Sequence, residues 1–155
     1  EVAFRWSDPE YDGDPAIDNV VLSNALDYDL QVSFLNELSD ISVDITAEVQ
    51  KESDEHQLFV TGTAVNGPAT TGNVDAVVDH AYADVDGNGF PVGLVSSISP
   101  RTTGTGTFVV TLRHLPPENG AATKTGTLAD DLASGGFEAL PGDTDAQVTF
   151  DLTVE

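Results

Sequence analysis

The chain has 155 residues and a mass of 16.2 kDa, which fits one domain with a sizeable core and leaves little room for a second. Five Lys and Arg against 27 Asp and Glu leave a formal charge of −22. That charge excludes a nucleic-acid binder working through a basic face and argues against docking on anionic lipid. Cysteine is absent, which removes disulfides, thiolate metal sites and Cys nucleophiles from this chain.

Period-2 alternation runs through the chain from its start. Val2, Phe4 and Trp6 share one side of a first short strand, and the turn cluster Asp12-Gly13-Asp14-Pro15 follows. Residues 20–22 form a second strand. Residues 28–35 form a third, with Tyr28, Leu30, Val32 and Phe34 on one face. Residues 38–55 read two ways: as a strand through Val43, Ile45, Ala47 and Val49, or as a helix with Ile41, Ile45 and Val49 on one side. Strands are then expected at 57–61, 74–82 and 92–97, separated by Asn66-Gly67-Pro68 and Asp86-Gly87-Asn88-Gly89.

Residues 105–114 place Phe108, Val110, Leu112 and His114 on one face and Thr107, Val109, Thr111 and Arg113 on the other. Residues 128–134 suit a short helix ahead of Gly135-Gly136. The clearest strand is the last, 146–154, with Val148, Phe150, Leu152 and Val154 facing one way. Seven to nine short strands with turns between them predict an all-β domain over residues 1–155, an antiparallel sandwich of immunoglobulin-like type. No apolar run approaches the roughly 20 residues that span a bilayer, so direct membrane insertion is not expected. The start at Glu1, inside a strand and without a basic leader, reads as a mature product from which any secretion signal has been removed.

Asp is twice as common as Glu, and the only lysines are Lys51 and Lys124. Carboxylates hold water and cations tightly, so this surface suits concentrated salt and points to a salt-adapted source; an acidic secreted domain in calcium-containing water is the alternative. Asp84, Asp86 and Asn88 occupy positions one, three and five of a loop with Gly89 at six, the first half of a calcium loop. Val95 at position twelve excludes an EF-hand. Asp84, Asp86 and Asn88, with the carbonyl of Phe90, are therefore expected to hold one calcium ion. Asp8, Glu10, Asp12 and Asp14 match the pattern again and are expected to hold a second. The ordinary alternative for both is an acidic turn with Asx hydrogen bonds.

His56, His80 and His114 are the only histidines. His56 stands at the start of one strand and His114 at the end of another, with Glu55 or Glu52 available to complete a zinc or copper site. No H-x-H or HExxH spacing is present, so the fold would have to assemble such a site. Without it, both are hydrogen-bonded histidines near strand ends. No G-x-S-x-G elbow and no glycine-rich phosphate loop occurs, and the chain is not expected to be an enzyme.

Several blocks share an order and wording with one group of proteins. They are Phe34-Leu35-Asn36-Glu37, Asp44-Ile45-Thr46-Ala47-Glu48-Val49 and Asp54-Glu55-His56-Gln57-Leu58-Phe59, followed by Asp84 to Leu94, Thr105 to Pro116 and Gly142 to Phe150. Together they resemble small secreted proteins or lipoproteins of the Bacteroidetes that carry the label "type 1 periplasmic binding fold superfamily protein". The label denotes two α/β lobes, which 155 residues of strand periodicity cannot build, so the all-β reading stands. The resemblance implies an extracytoplasmic setting in a Gram-negative envelope, beside outer-membrane uptake receptors. The lipid-bearing cysteine of the lipoproteins has no counterpart here. The expected function is a non-catalytic extracytoplasmic module that captures a metal ion or small ligand for an outer-membrane receptor. The alternative is a calcium-stabilised structural or adhesive module that assembles with copies of itself. His56 and His114 within about 4–5 Å of each other would favour the first, because two imidazoles must share one ion. A long open edge strand would favour the second.

Overall fold

Val148, Phe150, Leu152 and Val154 do share a face, and Phe108, Val110 and Leu112 line the matching face of the neighbouring strand. The computed structural model describes residues 1–8, 12–37 and 42–155. In chain order the strands are β1 (Trp6–Ser7), β2 (Ala16–Ile17), β3 (Val20–Leu22), β4 (Tyr28–Gln31), β5 (Leu35–Asn36) and β6 (Val43–Asp44). Helix α1 (Thr46–Lys51) precedes β7 (His56–Thr61), β8 (Val65–Asn66), β9 (Val78–Tyr82), β10 (Val95–Pro100) and β11 (Gly104–His114). Helix α2 (Leu128–Gly135) and β12 (Asp143–Val154) complete the described elements.

Two four-stranded sheets, β4-β10-β9-β8 and β3-β12-β11-β7, form the sandwich. Their inner faces meet in one core, where Leu58, Val60, Val110, Phe150 and Leu152 of one sheet pack with Val65, Val78 and Ile98 of the other. This is the expected all-β sandwich. The twelve described strands exceed the seven to nine anticipated because β1, β2, β5, β6 and β8 are two-residue ladders too short to leave a periodic trace. Nor are the sheets wholly antiparallel: β3 runs parallel to β12, and β8 runs parallel to β9.

Local corrections have local causes. The strand expected at 92–97 lies instead at Val95–Pro100. Gly93 has φ +89°, which breaks the extended run, and the Val92 carbonyl accepts from the Leu58 amide at the edge of β7. The run 74–82 is extended only from Val78, since the Ala76 amide closes a turn onto the Asn73 carbonyl. The third strand divides into β4 and β5, with the Val32 amide bonded to the Leu94 carbonyl between them. The ambiguous stretch holds both elements, β6 and then α1, whose Val49 is buried in the core; residues 38–41 lie outside the described residues.

Strand β7 is buried on both faces. Leu58 and Val60 face the other sheet, while Phe59 packs beneath Leu128, Ala129 and Leu132 of α2. This accounts for the unbroken burial from His56 to Val60, where alternation would have left every second residue wet.

Candidate metal centre

His56 begins β7 and His114 ends β11, and the antiparallel register sets them directly opposite each other. They extend the core-facing row of Leu58, Val60, Val110 and Leu112 to the end of the sheet. Their rings stack with centroids 4.7 Å apart and planes 10° from parallel. The fold thus brings together two histidines separated by 58 residues of chain, a spacing that carries no metal motif.

A third group comes from β12. The β11/β12 register pairs Leu112 with Ala146 and Arg113 with Thr144, so Asp145 is the extra residue of a β-bulge. Strict alternation would send Asp145 to the face opposite Ala146. A bulge re-aims a side chain, and here the Asp145 carboxylate lies 3.4 Å from His56 Nε2. Ligand atoms of His56, His114 and Asp145 all lie within 4.8 Å of one another. Glu55 adds a second carboxylate, 3.8 Å from His114 Nε2.

His56 Nδ1 is 3.0 Å from the Glu52 carbonyl. A carbonyl can only accept, so Nδ1 must carry the hydrogen. Nε2 then presents either a lone pair or a second proton toward the Asp145 carboxylate. A lone pair facing an anion is unfavourable, and a cation between them relieves the clash. Fixing one imidazole nitrogen on a carbonyl so that the other can ligate is a common arrangement at metal centres.

Two buried cations hold the supporting backbone. Lys124 Nζ donates to the Ser53 and His56 carbonyls at 2.7 and 2.8 Å and pairs with Asp86 Oδ2 at 3.0 Å. One ammonium therefore grips both ends of the turn that carries Glu55. The Glu55 carbonyl also accepts from the Leu115 amide, beside His114. On the other side, the Arg113 guanidinium donates to the carbonyls of Leu140, Pro141 and Gly142 and to the Thr144 hydroxyl. That fork fixes the segment leading into the bulge.

The first expected calcium loop is satisfied from within. Asp84 accepts from the Gly93 and Val95 amides. Asp86 Oδ1 accepts from the Asn88 and Phe90 amides, and the Phe90 carbonyl accepts from the Asp86 amide. The charge opposite Asp86 is the Lys124 ammonium. Burial works against ionisation of Asp86, but the Phe90 amide, Lys124 and the Asn88 amide outweigh it and hold the carboxyl below its usual range. Burial likewise draws the Lys124 ammonium below the ordinary lysine range, against the opposing pull of Asp86. Both Asp84 oxygens, Asp86 Oδ1 and the Phe90 carbonyl thus accept from backbone amides, Asp86 Oδ2 faces the Lys124 ammonium, and Asn88 lines a cleft with Asp54, Glu55 and Phe90. In the second expected loop, Asp8 accepts from the Gly13 amide and Asp12 from the Asp14 amide; Glu10 lies outside the described residues.

Of the residues singled out in the sequence, His56, His114 and Glu55 converge. Asp145 and Lys124 went unnoticed there. Asp145 lies in an alternating strand whose pattern points it outward, and no sequence signal marks a bulge. Lys124 left one trace, as one of two lysines in a chain of carboxylates. His80 stands apart: it is buried with its ring edge-on to Tyr82, 5.0 Å between centroids. No family model, curated protein or solved structure matches this chain.

Proposed function

We propose that this chain is a non-catalytic, extracytoplasmic binding module that captures a metal ion at His56, His114 and Asp145. The observation that carries the reading is the stacked His56–His114 pair at 4.7 Å with Asp145 brought to it by the bulge. Imidazole nitrogens and a carboxylate oxygen are donors suited to zinc(II) or copper(II). His56 is buried, His114 is half-buried and Asp145 is exposed, so the centre has an anchored side and an open side through which an ion can enter and leave. Its placement in a Gram-negative envelope, with delivery to an outer-membrane uptake receptor, rests on the sequence resemblance.

A self-assembling module would need long open strand edges. The outer strands β3, β4 and β8 have three, four and two residues, and β7 gives its Leu58 amide to Val92. Capture is the better-supported reading. Titration calorimetry with zinc(II) in chelator-treated buffer tests it: wild type should bind one ion, and His114→Ala should lose that binding without losing the fold. A wild-type protein with no zinc or copper binding would overturn it.

A further inference from the structure

We infer that Glu55 is the fourth ligand, so that His56, His114, Asp145 and Glu55 form a two-imidazole, two-carboxylate centre selective for zinc(II) over calcium and magnesium. This rests on the metal-capture reading above.

His56 Nε2 and Asp145 Oδ2 are 3.4 Å apart, and His114 Nε2 and Glu55 Oε2 are 3.8 Å apart. Both exceed the span of a good charged hydrogen bond, roughly 2.7–2.9 Å. Ligand atoms at about 2.0–2.1 Å from a tetrahedral zinc stand ~3.3 Å from one another. The His56–Asp145 separation is close to the edge length of a zinc tetrahedron. Glu55 stands further from His114 and outside the set of His56, His114 and Asp145 atoms that lie within 4.8 Å of one another, so its side chain must swing inward to close on the ion.

Glu55 is placed for this role and Glu52 is not. The Ser53 and His56 carbonyls flanking Glu55 are both held by Lys124, the Glu55 amide is bonded to the Glu52 carbonyl, and the Glu55 carbonyl is bonded to Leu115. The turn therefore presents the Glu55 side chain toward His114, the cross-strand partner of the adjacent His56. Glu52 contributes its backbone carbonyl, which orients His56. The stacked rings have near-parallel lone-pair directions, so His114, the more exposed ring, must tilt toward the ion while His56 stays fixed.

The donor set decides the ion. Calcium takes about 6–8 oxygens at 2.3–2.6 Å, and magnesium takes an octahedron of oxygens and water. Two imidazoles in a four-donor centre suit neither. Without thiolates or thioethers the set also offers nothing to copper(I), whereas zinc(II) accepts mixed nitrogen and oxygen donors in a tetrahedron.

Zinc titrations of the full chain, in millimolar calcium and magnesium, separate the possibilities. Wild type should bind one zinc ion despite the competing cations, and X-ray absorption at the zinc edge should report two imidazoles and two oxygens. Glu55→Gln should weaken zinc binding by roughly 10-fold or more, since even outer-shell losses cost that much. Asp54→Asn, the same charge change one residue away, should leave binding unchanged. Equal affinity of Glu55→Gln and wild type would overturn the four-ligand inference and leave metal capture intact. Displacement of zinc by millimolar calcium would overturn the selectivity. Absence of zinc binding by wild type would overturn both readings.

Discussion

Asp86 and Lys124 are both fully buried, and each charge is tolerable only because the other is 3.0 Å away. Removing one partner of such a pair typically costs about 3–5 kcal/mol, because the survivor stays buried without compensation. Asp86→Ala should therefore melt well below wild type, and by the same margin in chelator and in millimolar calcium. A loss confined to calcium-containing buffer would show that an ion, not Lys124, is the partner that matters. His80 makes a second case. Burial lowers its pKa from 6.5 to about 4, and neither ring nitrogen has a hydrogen-bond partner among the described residues. The folded state keeps this ring neutral while the unfolded state protonates it below about pH 6.5. The unfolded chain thus binds more protons as pH falls from about 6.5 to 4, and stability drops across that window by about 3 kcal/mol from this group. Denaturant melts at pH 7 and pH 4.5 should show a smaller acid loss for His80→Phe than for wild type. Equal losses would mean that His80 does not feel its burial.

At the scale of elements, the centre depends on how β12 starts. Gly142 has φ +71°, and a Cβ there would overlap the His114 carbonyl oxygen. Gly142→Ala should destabilise the protein by roughly 1–3 kcal/mol through the backbone conformation alone. It should also weaken zinc binding by displacing His114 and the bulge together. Gly72 offers the control: it too has positive φ, +88°, but a Cβ there would meet nothing. Gly72→Ala should cost stability and leave zinc affinity unchanged; a parallel loss of affinity in both variants would remove the link to His114. These dependences also explain what could be read from the chain. Alternation in β12 was visible because it keeps one wet and one dry face over many residues, whereas β11 shows it in residue type although Thr111 and Arg113 on its second face are buried. Strand β7 hid its pattern because α2 covers its second face. His56 and His114 stood out as residues, but their pairing is a matter of register between segments far apart in sequence. Asp145 could not be found, since one inserted residue reverses which face it takes. The Asp-rich loop at 84–90 was conspicuous, whereas the Lys124 ammonium that pairs with Asp86 comes from 38 residues further along, beyond the reach of a local motif.

Over the whole molecule, 27 acidic side chains face five basic ones, and four of the five are already committed. Arg5 pairs with Glu37, Arg101 with Asp79 and Lys124 with Asp86, while Arg113 spends its donors on carbonyls and a hydroxyl. Most carboxylates therefore have no basic side chain to offset them, and folding concentrates them on one small body. The screening length falls from ~10 Å at 0.1 M salt to ~3 Å at 1 M, so added salt should relieve repulsion in the folded state more than in the expanded chain. Thermal melts from about 0.05 M to 2 M sodium chloride should show a rising Tm. Because screening is indifferent to the salt's identity, potassium chloride should give nearly the same rise; sulfate would add a contribution from apolar burial. The same field acts on an incoming cation with the opposite sign. It gathers divalent ions around the acidic surface, so zinc association should slow as salt increases even while the fold becomes more stable. Stopped-flow association rates set against melting temperatures over one salt series would expose this crossing. A Tm that stays flat or falls would show that self-repulsion does not limit this fold, and a salt-independent association rate would show that the acidic surface plays no part in capture.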